Sequence, residues 1–250
     1  AAADTAPPRK AARRGRRARR RDPNYVPRQI NPLKPQFLQF ATRWGRWIEA
    51  FADPSLPLVV DVGCGAGEWA AAAARAHPDL NVLGVDCRAN AYASADAPPN
   101  CVFLAANTAA GDLSALLGGW IAAGGAVKYV LAQCPDPHWK GKHRNRRMLT
   151  SSFFRAAAVG LDVGGLVVVR SDVSDVVAAA TAAATSEAPA LLVESQPDAT
   201  LTALLAIPTE RMTYAASRGG AVATAVYEVV PGVSRRRRAL EELRRVICDD

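Results

Sequence analysis

The sequence predicts an α/β protein with a mostly parallel, seven-stranded β-sheet and helices on both faces. Short apolar runs rich in valine and leucine recur along the chain, and helical segments separate them. One of these runs leads into a glycine-rich turn that opens a helix, which is typical of a strand–turn–helix unit. The 250 residues, half of them hydrophobic, are enough for one domain built on such a sheet.

The predicted strands are short apolar runs, bounded by residues that interrupt regular structure. They cover residues 58–62, 82–85, 101–104, 127–131, 166–169, 191–194 and 221–230. Helices are predicted over 67–76, 149–161 and 173–185, with another between the second and third strands that Pro98 and Pro99 end. Ahead of the first strand, helical spacing of apolar side chains predicts a helix that ends before Pro54; these are Phe37, Phe40, Trp44, Ile48 and Phe51.

The two ends of the chain differ in composition from its centre. Residues 1–32 are rich in Ala, Arg and Pro, and we expect them to be disordered. Nine Lys/Arg and two Asp give residues 1–22 a charge of +7, out of +8 for the whole chain. Such a leader suits an organelle transit segment, a nuclear-type signal or a nucleic-acid-binding arm equally well. We expect a catalytic domain over 33–233 and an Arg-rich tail over 234–250.

Several classes of protein do not fit this sequence. No apolar run reaches the 18 or so residues that a membrane span needs. Five cysteines without a C-x-x-C pair argue against a disulfide framework and a zinc site, and favour a reducing compartment. The three histidines are too scattered for a metal-binding triad. We therefore expect a protein without a metal, and from its apolar runs one without a membrane anchor.

The first candidate site is the glycine turn that follows the first strand. Gly63, Gly65 and Gly67 alternate with other residues, and a helix opens directly after them. Glycines let a ligand approach the backbone, and a helix N-terminus offers unpaired N–H groups. The spacing differs from the G-x-G-x-x-G of dinucleotide-binding proteins, and Asp61 would repel a pyrophosphate. The turn therefore suits a ligand with a cationic group, the alternative being a glycine turn without a ligand.

Asp86 ends the second predicted strand, nineteen residues after Gly67. A carboxylate at this position of an α/β sheet can accept hydrogen bonds from both hydroxyls of a ribose. Taken alone, such a residue is more often part of a turn. Together, the glycine turn and Asp86 resemble the S-adenosylmethionine site of a class I methyltransferase.

The second candidate site follows the fourth strand. Asp136 stands between Pro135 and Pro137, which restrict its backbone and hold its carboxylate in place. Five Lys/Arg residues follow within 140–147, as phosphate contacts would require. A proline turn beside a solvated basic loop is the alternative.

The segment from Pro135 to Lys140, with the basic run 142–147, resembles the signature of the tRNA (guanine-N7-)-methyltransferase family. Residues 28–33, 171–172 and 208–211 agree with the family as well, and the resemblance extends over roughly 28–230, nearer to bacterial and plastid members. It implies a Rossmann-like class I methyltransferase fold, S-adenosylmethionine as cofactor and tRNA as substrate. The methyl group would go to N7 of a guanosine in the variable loop.

The resemblance also implies roles for individual residues. Asp136 matches the active-site residue, Asp86 the ribose contact and Asn107 the adenine contact. The implied cofactor-binding set is Asp61, Gly63, Gly65, Gly67, Asp86, Cys87, Asn107 and Thr108. The implied substrate and tRNA set is Lys140, Lys142, His143, Arg144, Asn145, Arg146, Arg147, Asp172, Thr209 and Glu210. The sequence departs from the family at Met212, where a second carboxylate is usual, and at Arg235–Arg238 in the tail.

The chemistry of guanine N7 fits these residues. N7 carries a lone pair and no proton, so its methylation needs alignment and not a strong base. Fixed carboxylates would stabilise the positive charge that develops on the ring and accept hydrogen bonds from the guanine N–H groups. We therefore expect Asp136, with Asp172 and Glu210, to orient the base and to stabilise this charge.

Other functions remain open from the sequence. A small-molecule methyltransferase has no use for the basic run, and an amino-group methyltransferase would not have His138 and Trp139 after Asp136-Pro137. A dinucleotide oxidoreductase has the wrong glycine spacing. An RNA-binding relative that has lost activity, or a methyltransferase of another RNA, is the main alternative. We expect a soluble intracellular enzyme that works as a single chain, in the cytoplasm or plastid stroma and not the nucleus.

Overall fold

A seven-stranded sheet forms the centre of the computed structural model, which describes residues 31–38, 44–92, 95–138, 146–187 and 191–230. Its strands are β1 (Leu58–Val62), β2 (Asn81–Asp86), β3 (Cys101–Ala105), β4 (Val127–Gln133), β5 (Leu166–Ser171), β6 (Leu192–Glu194) and β7 (Ala223–Val229). Their order is β3-β2-β1-β4-β5-β7-β6. Only β7 runs antiparallel to its neighbours β5 and β6. The prediction of a mostly parallel, seven-stranded sheet is confirmed.

The described residues form six α-helices, and the first five of them pack on the two faces of this sheet. They are α1 (Glu68–Ala76), α2 (Asp112–Ala122), α3 (Ser151–Gly160), α4 (Ser174–Glu187), α5 (Ala199–Ala206) and α6 (Glu210–Ser217). On one face, α2, α3 and α4 bury their apolar side chains against Val60, Val130 and Val167. On the other face, α1 and α5 pack against Val59 and Leu131. Alternate side chains of each strand thus enter opposite cores, which explains why the strands are apolar throughout.

The chain ahead of β1 does not form the single helix that its apolar spacing predicts. The described residues contain two short 3₁₀-helices instead, Pro35–Phe37 and Trp47–Ala50. Between them Gly45 has φ +53°, a left-handed conformation that interrupts a right-handed helix. The aromatic side chains are nevertheless used in packing, since Trp47 and Phe51 lie against the buried Trp120 ring at 5.7 and 5.4 Å between centroids.

The helix predicted between β2 and β3 is also absent from the described part of that connection. The Asp86 carboxylate accepts the backbone N–H of Arg88 and bonds its guanidinium, which favours a turn over a helix start. Helices α2, α5 and α6 were not predicted. Side-chain caps fix the first residues of the last two, Asp198 accepting from the N–H of Leu201 and Thr209 from that of Met212.

No helix within the described ranges is both long enough and apolar enough to cross a bilayer.

The Phe103 ring packs closely against two glycines, Gly67 and Gly84. A Cβ atom on Gly84 would lie 2.5 Å from the Phe103 ring and 3.1 Å from the Cys64 sulfur. We therefore expect Gly84→Ala to lower the free energy of unfolding by about 1–3 kcal/mol. Gly118 is the matched control because it lies within α2 with nothing within 4 Å of its Cβ position. Gly118→Ala should raise stability by about 0.5–1 kcal/mol.

Urea unfolding of the two variants beside the wild type measures these effects. Equal effects of the two substitutions would contradict the packing of Phe103 against β2.

Candidate active site

The glycine turn after β1 lies at the carboxyl edge of the sheet. Gly63, Gly65 and Gly67 have φ of +80°, +58° and +81°, so each adopts a backbone conformation that other residues avoid. A Cβ atom on Gly63 or Gly65 would project into open space, whereas one on Gly67 would strike Phe103. The first two glycines thus border a space that a ligand can enter, while the third is required by packing.

Asp61 is a buried acid beside this turn, with only 3% of its surface exposed. Its Oδ1 accepts a hydrogen bond from Nε2 of Gln133 at 3.4 Å. The pKa of Asp61 is raised to about 7: burial is the main cause, the Gln133 hydrogen bond opposes it, and the nearby Asp86 charge adds to it. The Oε1 atom of Gln133 is buried without a hydrogen-bond partner in the described residues. A ligand cation here would be stabilised by the Asp61 carboxylate and by Oε1 of Gln133.

Asp86 is buried at the end of β2 and holds two segments together. Its Oδ2 accepts the N–H of Gly65 at 3.2 Å, so the carboxylate is tied to the glycine turn. Its remaining bonds are to Arg88, from the backbone N–H at 2.8 Å, from Nε at 2.9 Å and from Nη2 at 2.7 Å. In this state Arg88 thus uses the carboxylate oxygens that the sequence assigns to ribose hydroxyls.

Asn107 is buried directly after β3, on the same edge. Its Nδ2 donates to the carbonyls of Pro32 and Phe37 at 2.8 and 2.9 Å, and its backbone N–H donates to Asp112 at 2.7 Å. The predicted adenine contact therefore anchors the segment 32–37, which lies ahead of β1. Pro32 itself is buried.

Two further predicted cofactor contacts lie on this edge. Cys87 follows β2 directly, and burial, with Asp86 adding to it, raises the pKa of its thiol to about 12. Thr108 begins the 3₁₀-helix Thr108–Ala110 after Asn107. The thiol is therefore neutral at physiological pH and offers no anionic contact.

Asp136 follows β4 in a strained loop. Cys134 and His138 have φ of +50° and +41°, which is unfavourable for residues with a side chain and often marks a functional site. Burial raises the pKa of Asp136 to about 6; the Arg88 charge lowers it and the Asp86 charge raises it. The second candidate site thus lies within electrostatic reach of the first.

Asp172 and Thr209 both lie beside Cys134, at the start of this loop. Asp172 is bonded to Arg211, with 2.6 Å between Oδ2 and Nη2, and Thr209 caps α6. The pKa of the Cys134 thiol is raised by burial, against the effect of its neighbours, the Asp172 backbone and the Thr209 hydroxyl. These neighbours bring the Asp136 loop beside both predicted substrate contacts.

Two hydrogen bonds hold the chain immediately before Thr209. Nε1 of Trp69 donates to the carbonyl of Ile207 at 3.1 Å, and Nη1 of Arg170 donates to that of Leu205 at 2.8 Å. Trp69 lies in the first turn of α1, next to the glycine turn. The predicted substrate segment is therefore bonded to α1, which begins at the glycine turn, and to β5, which leads to Asp172.

Met212 does not leave a gap where the family carries a carboxylate. Only 4% of its surface is exposed, and it lies on the buried side of α6 with Ala215. A carboxylate at this position would need its own partners in an apolar environment.

Part of the predicted tRNA-contact set cannot be located. Lys140, Lys142, His143, Arg144 and Asn145 lie outside the described residues, whereas Arg146 and Arg147 are half-buried. Among the described residues, no group of three His, Cys, Asp or Glu is arranged to hold a metal ion.

Sequence reasoning missed Gln133, Arg88 and Arg211. Each is a polar or cationic side chain next to a predicted acid, yet none belongs to a motif that reveals its partner. The position of Arg88, two residues after Asp86, could have indicated their contact, because a turn after a strand brings such residues together.

The buried charge of Asp61 predicts a pH-dependent stability. Because its folded pKa is about 7 and its ordinary value is about 4, the folded state retains a proton that the unfolded chain releases. Wild-type stability should therefore fall as pH rises from about 4 to 7. Asp61→Asn should remove this loss and be more stable at pH 8, by up to about 4 kcal/mol, with no difference at pH 4.

Urea unfolding at both pH values tests this prediction. Asp96→Asn is the control, since the Asp96 side chain is 98% exposed. An Asp61→Asn variant that is equally destabilised at both pH values would contradict it.

Comparisons with known proteins identify the family of the chain. A family model described as "Putative methyltransferase" matches residues 55–225. The tRNA (guanine-N(7)-)-methyltransferase of Synechococcus elongatus is 35% identical over 157 residues, which cover 60% of this chain and 72% of the relative. That of Thermosynechococcus vestitus is 33% identical, with 60% and 70% covered. The 16S rRNA methyltransferase KamB aligns at 18% identity and a TM-score of 0.46, over 76% of this chain and 94% of that one. By the family match and these relatives, the chain belongs to the tRNA (guanine-N7-)-methyltransferase family.

Proposed function

We propose that this protein transfers a methyl group from S-adenosylmethionine to N7 of a guanosine in the variable loop of tRNA. One observation carries the proposal above all. Four neighbouring strands, in the order β2-β1-β4-β5, each bring one carboxylate to the carboxyl edge of the sheet. These are Asp86, Asp61, Asp136 and Asp172. Ligands of open α/β sheets bind at this edge, where the strand order reverses.

The residues around the glycine turn fit this cofactor. It supplies a methyl group on a positively charged sulfur and carries a cationic amino group. Asp61 is a buried acid whose pKa is raised in the free protein, and a nearby cation would favour its charged form. Gly63 and Gly65 leave space beside the backbone. Binding of ribose hydroxyls at Asp86 requires Arg88 to give up at least part of its hydrogen bonding there.

Asp136 is the residue that we assign to the reacting base. Its loop is fixed by two prolines and by strained residues on either side, so the carboxylate is held in position before substrate binds. Guanine N7 needs no base, and Asp136 therefore orients guanine and stabilises the charge that develops on it. Water exclusion by the substrate would strengthen this interaction.

Asp172, Thr209 and Glu210 complete the substrate site in this proposal. Arg211 holds the Asp172 carboxylate, and Thr209 uses its hydroxyl to cap α6. With Met212 buried, recognition of the guanine N–H groups rests on Asp172 and Glu210. Arg146 and Arg147, with the basic residues before them, would contact tRNA phosphates.

We extend the proposal to the organisation of the chain. The catalytic domain covers 33–233, between a basic leader over 1–32 and an Arg-rich tail over 234–250. The resemblance to cyanobacterial enzymes supports a single-chain enzyme of the cytoplasm or plastid stroma.

The reaction itself is tested with purified protein, S-adenosylmethionine and tRNA from cells that lack 7-methylguanosine. We expect 7-methylguanosine among the nucleosides of the digested product, detected by mass spectrometry. A tRNA transcript with adenosine in place of the variable-loop guanosine is the control and should stay unmodified. Cofactor binding without any product would contradict the proposal and favour an RNA-binding protein that has lost activity.

Asp136→Asn separates catalysis from cofactor binding. Because the amide cannot stabilise positive charge, we expect kcat to fall about 100-fold or more, while the cofactor Kd changes less than about twofold. Wild-type kcat/KM should fall as pH drops through about 6, where Asp136 of the free enzyme gains a proton, and the variant should lack this step.

Asp96→Asn again provides a control, with wild-type kinetics expected. Equal losses in kcat and in cofactor affinity would show that Asp136 serves the cofactor site.

A further inference from the structure

Helix α6 carries a row of planar side chains on its exposed side. Arg211, Tyr214 and Arg218 recur at spacings of three and four, which places them on one side of the helix and its C-terminal cap. Tyr214 is 51% exposed. The guanidinium carbons of Arg211 and Arg218 lie 5.5 and 5.4 Å from the centre of its ring. We call these three residues the Tyr214 row.

The orientation of α6 is fixed by its other side and by its first turn. Met212 and Ala215 are buried, so the helix presents the Tyr214 row outward. Arg211 reaches Asp172, with 2.6 Å between Nη2 and Oδ2. The row therefore begins at a residue of the candidate substrate site and leads away from it along the helix surface.

The composition of the row matches one kind of partner. RNA bases stack on aromatic rings and on guanidinium planes, and guanidinium groups also bond phosphate. An exposed tyrosine between two arginines adds little to stability, since exposed cation–π pairs contribute only about 0.5–1 kcal/mol. A row of this kind is well suited to a single-stranded, anionic partner beside the reacting guanosine.

We propose that the Tyr214 row binds the RNA strand next to the target guanosine, with a base or ribose-phosphate unit stacked on Tyr214 and its phosphate on Arg218. This inference rests on the proposed function and adds a tRNA-binding surface to it. The surface is separate in sequence from the basic run 140–147. In this proposal the Tyr214 row holds the RNA strand along α6, while Asp172, which is bonded to Arg211 of the row, contacts the guanine.

The test compares Tyr214→Ala, Tyr214→Phe and Arg218→Ala with the wild type. The Kd for an unmodified tRNA transcript is measured by fluorescence anisotropy at several salt concentrations, and the cofactor Kd by calorimetry. We expect Tyr214→Ala to weaken tRNA binding about tenfold, and Tyr214→Phe to stay close to wild type because the ring remains. Arg218→Ala should weaken binding and reduce the salt slope by about one phosphate contact.

Arg75→Ala is the matched control for the loss of an arginine. Like Arg211, Arg75 is 48% exposed and lies 2.6 Å from an aspartate, but it stands in the last turn of α1, away from the glycine turn. It should leave tRNA affinity within about twofold of wild type. Cofactor affinity should stay unchanged in all four variants, and urea unfolding confirms that each is folded.

The outcomes separate this inference from the proposed function. If the wild type binds and methylates tRNA and the row variants bind as tightly, the Tyr214 row is not an RNA surface and would serve a protein partner instead. If Arg75→Ala weakens binding as much as Arg218→Ala, the effect is one of net charge and the inference fails. If the wild type neither binds nor methylates tRNA, the proposed function itself is wrong.

Discussion

The pairing of β1 with β4 is the constraint on which the whole site depends. These strands are neighbours in the sheet although α1, β2, β3 and α2 separate them in sequence. Chain connections leave to opposite sides at this point, and a crevice opens at the carboxyl edge. The glycine turn lies on one side of it and the Asp136 loop on the other. The apolar residues of β1 and β4 therefore determine where the chemistry can take place.

Burial gives the acids of this edge their properties. Asp61 and Asp136 keep raised pKa values because they are removed from water and have no direct ionic partner among the residues that the structure describes. Asp86 and Asp172 instead have arginine partners, Arg88 and Arg211. Two of the four carboxylates are thus poised to gain a cationic neighbour, which is what a sulfonium cofactor and a methylated guanine provide. The others are held in place by charges of the chain itself.

The segment before Thr209 connects the proposed substrate site to the proposed cofactor site. Trp69 and Arg170 donate to the carbonyls of Ile207 and Leu205, and so connect α1 and β5 to the chain entering α6. Each of these hydrogen bonds adds only modestly to the free energy of unfolding, but it fixes the position of the segment relative to α1 or β5. Position is what a reaction without proton transfer requires of its enzyme.

The sequence by itself determined the positions of the strands, their mostly parallel arrangement, and the glycine and Asp136 motifs. Each depends on local rules: valine-rich runs need two covered faces, glycines permit left-handed turns, and prolines restrict their neighbours. The predictions from sequence were wrong where tertiary contacts determine the local backbone. The aromatic spacing of 37–51 serves packing against Trp120 and not one helix, and Arg88 turns back onto Asp86 where a helix was expected. Only the tertiary structure paired Asp61 with Gln133, Asn107 with Pro32 and Arg211 with Asp172, because these contacts join residues distant in sequence whose partners no local pattern encodes.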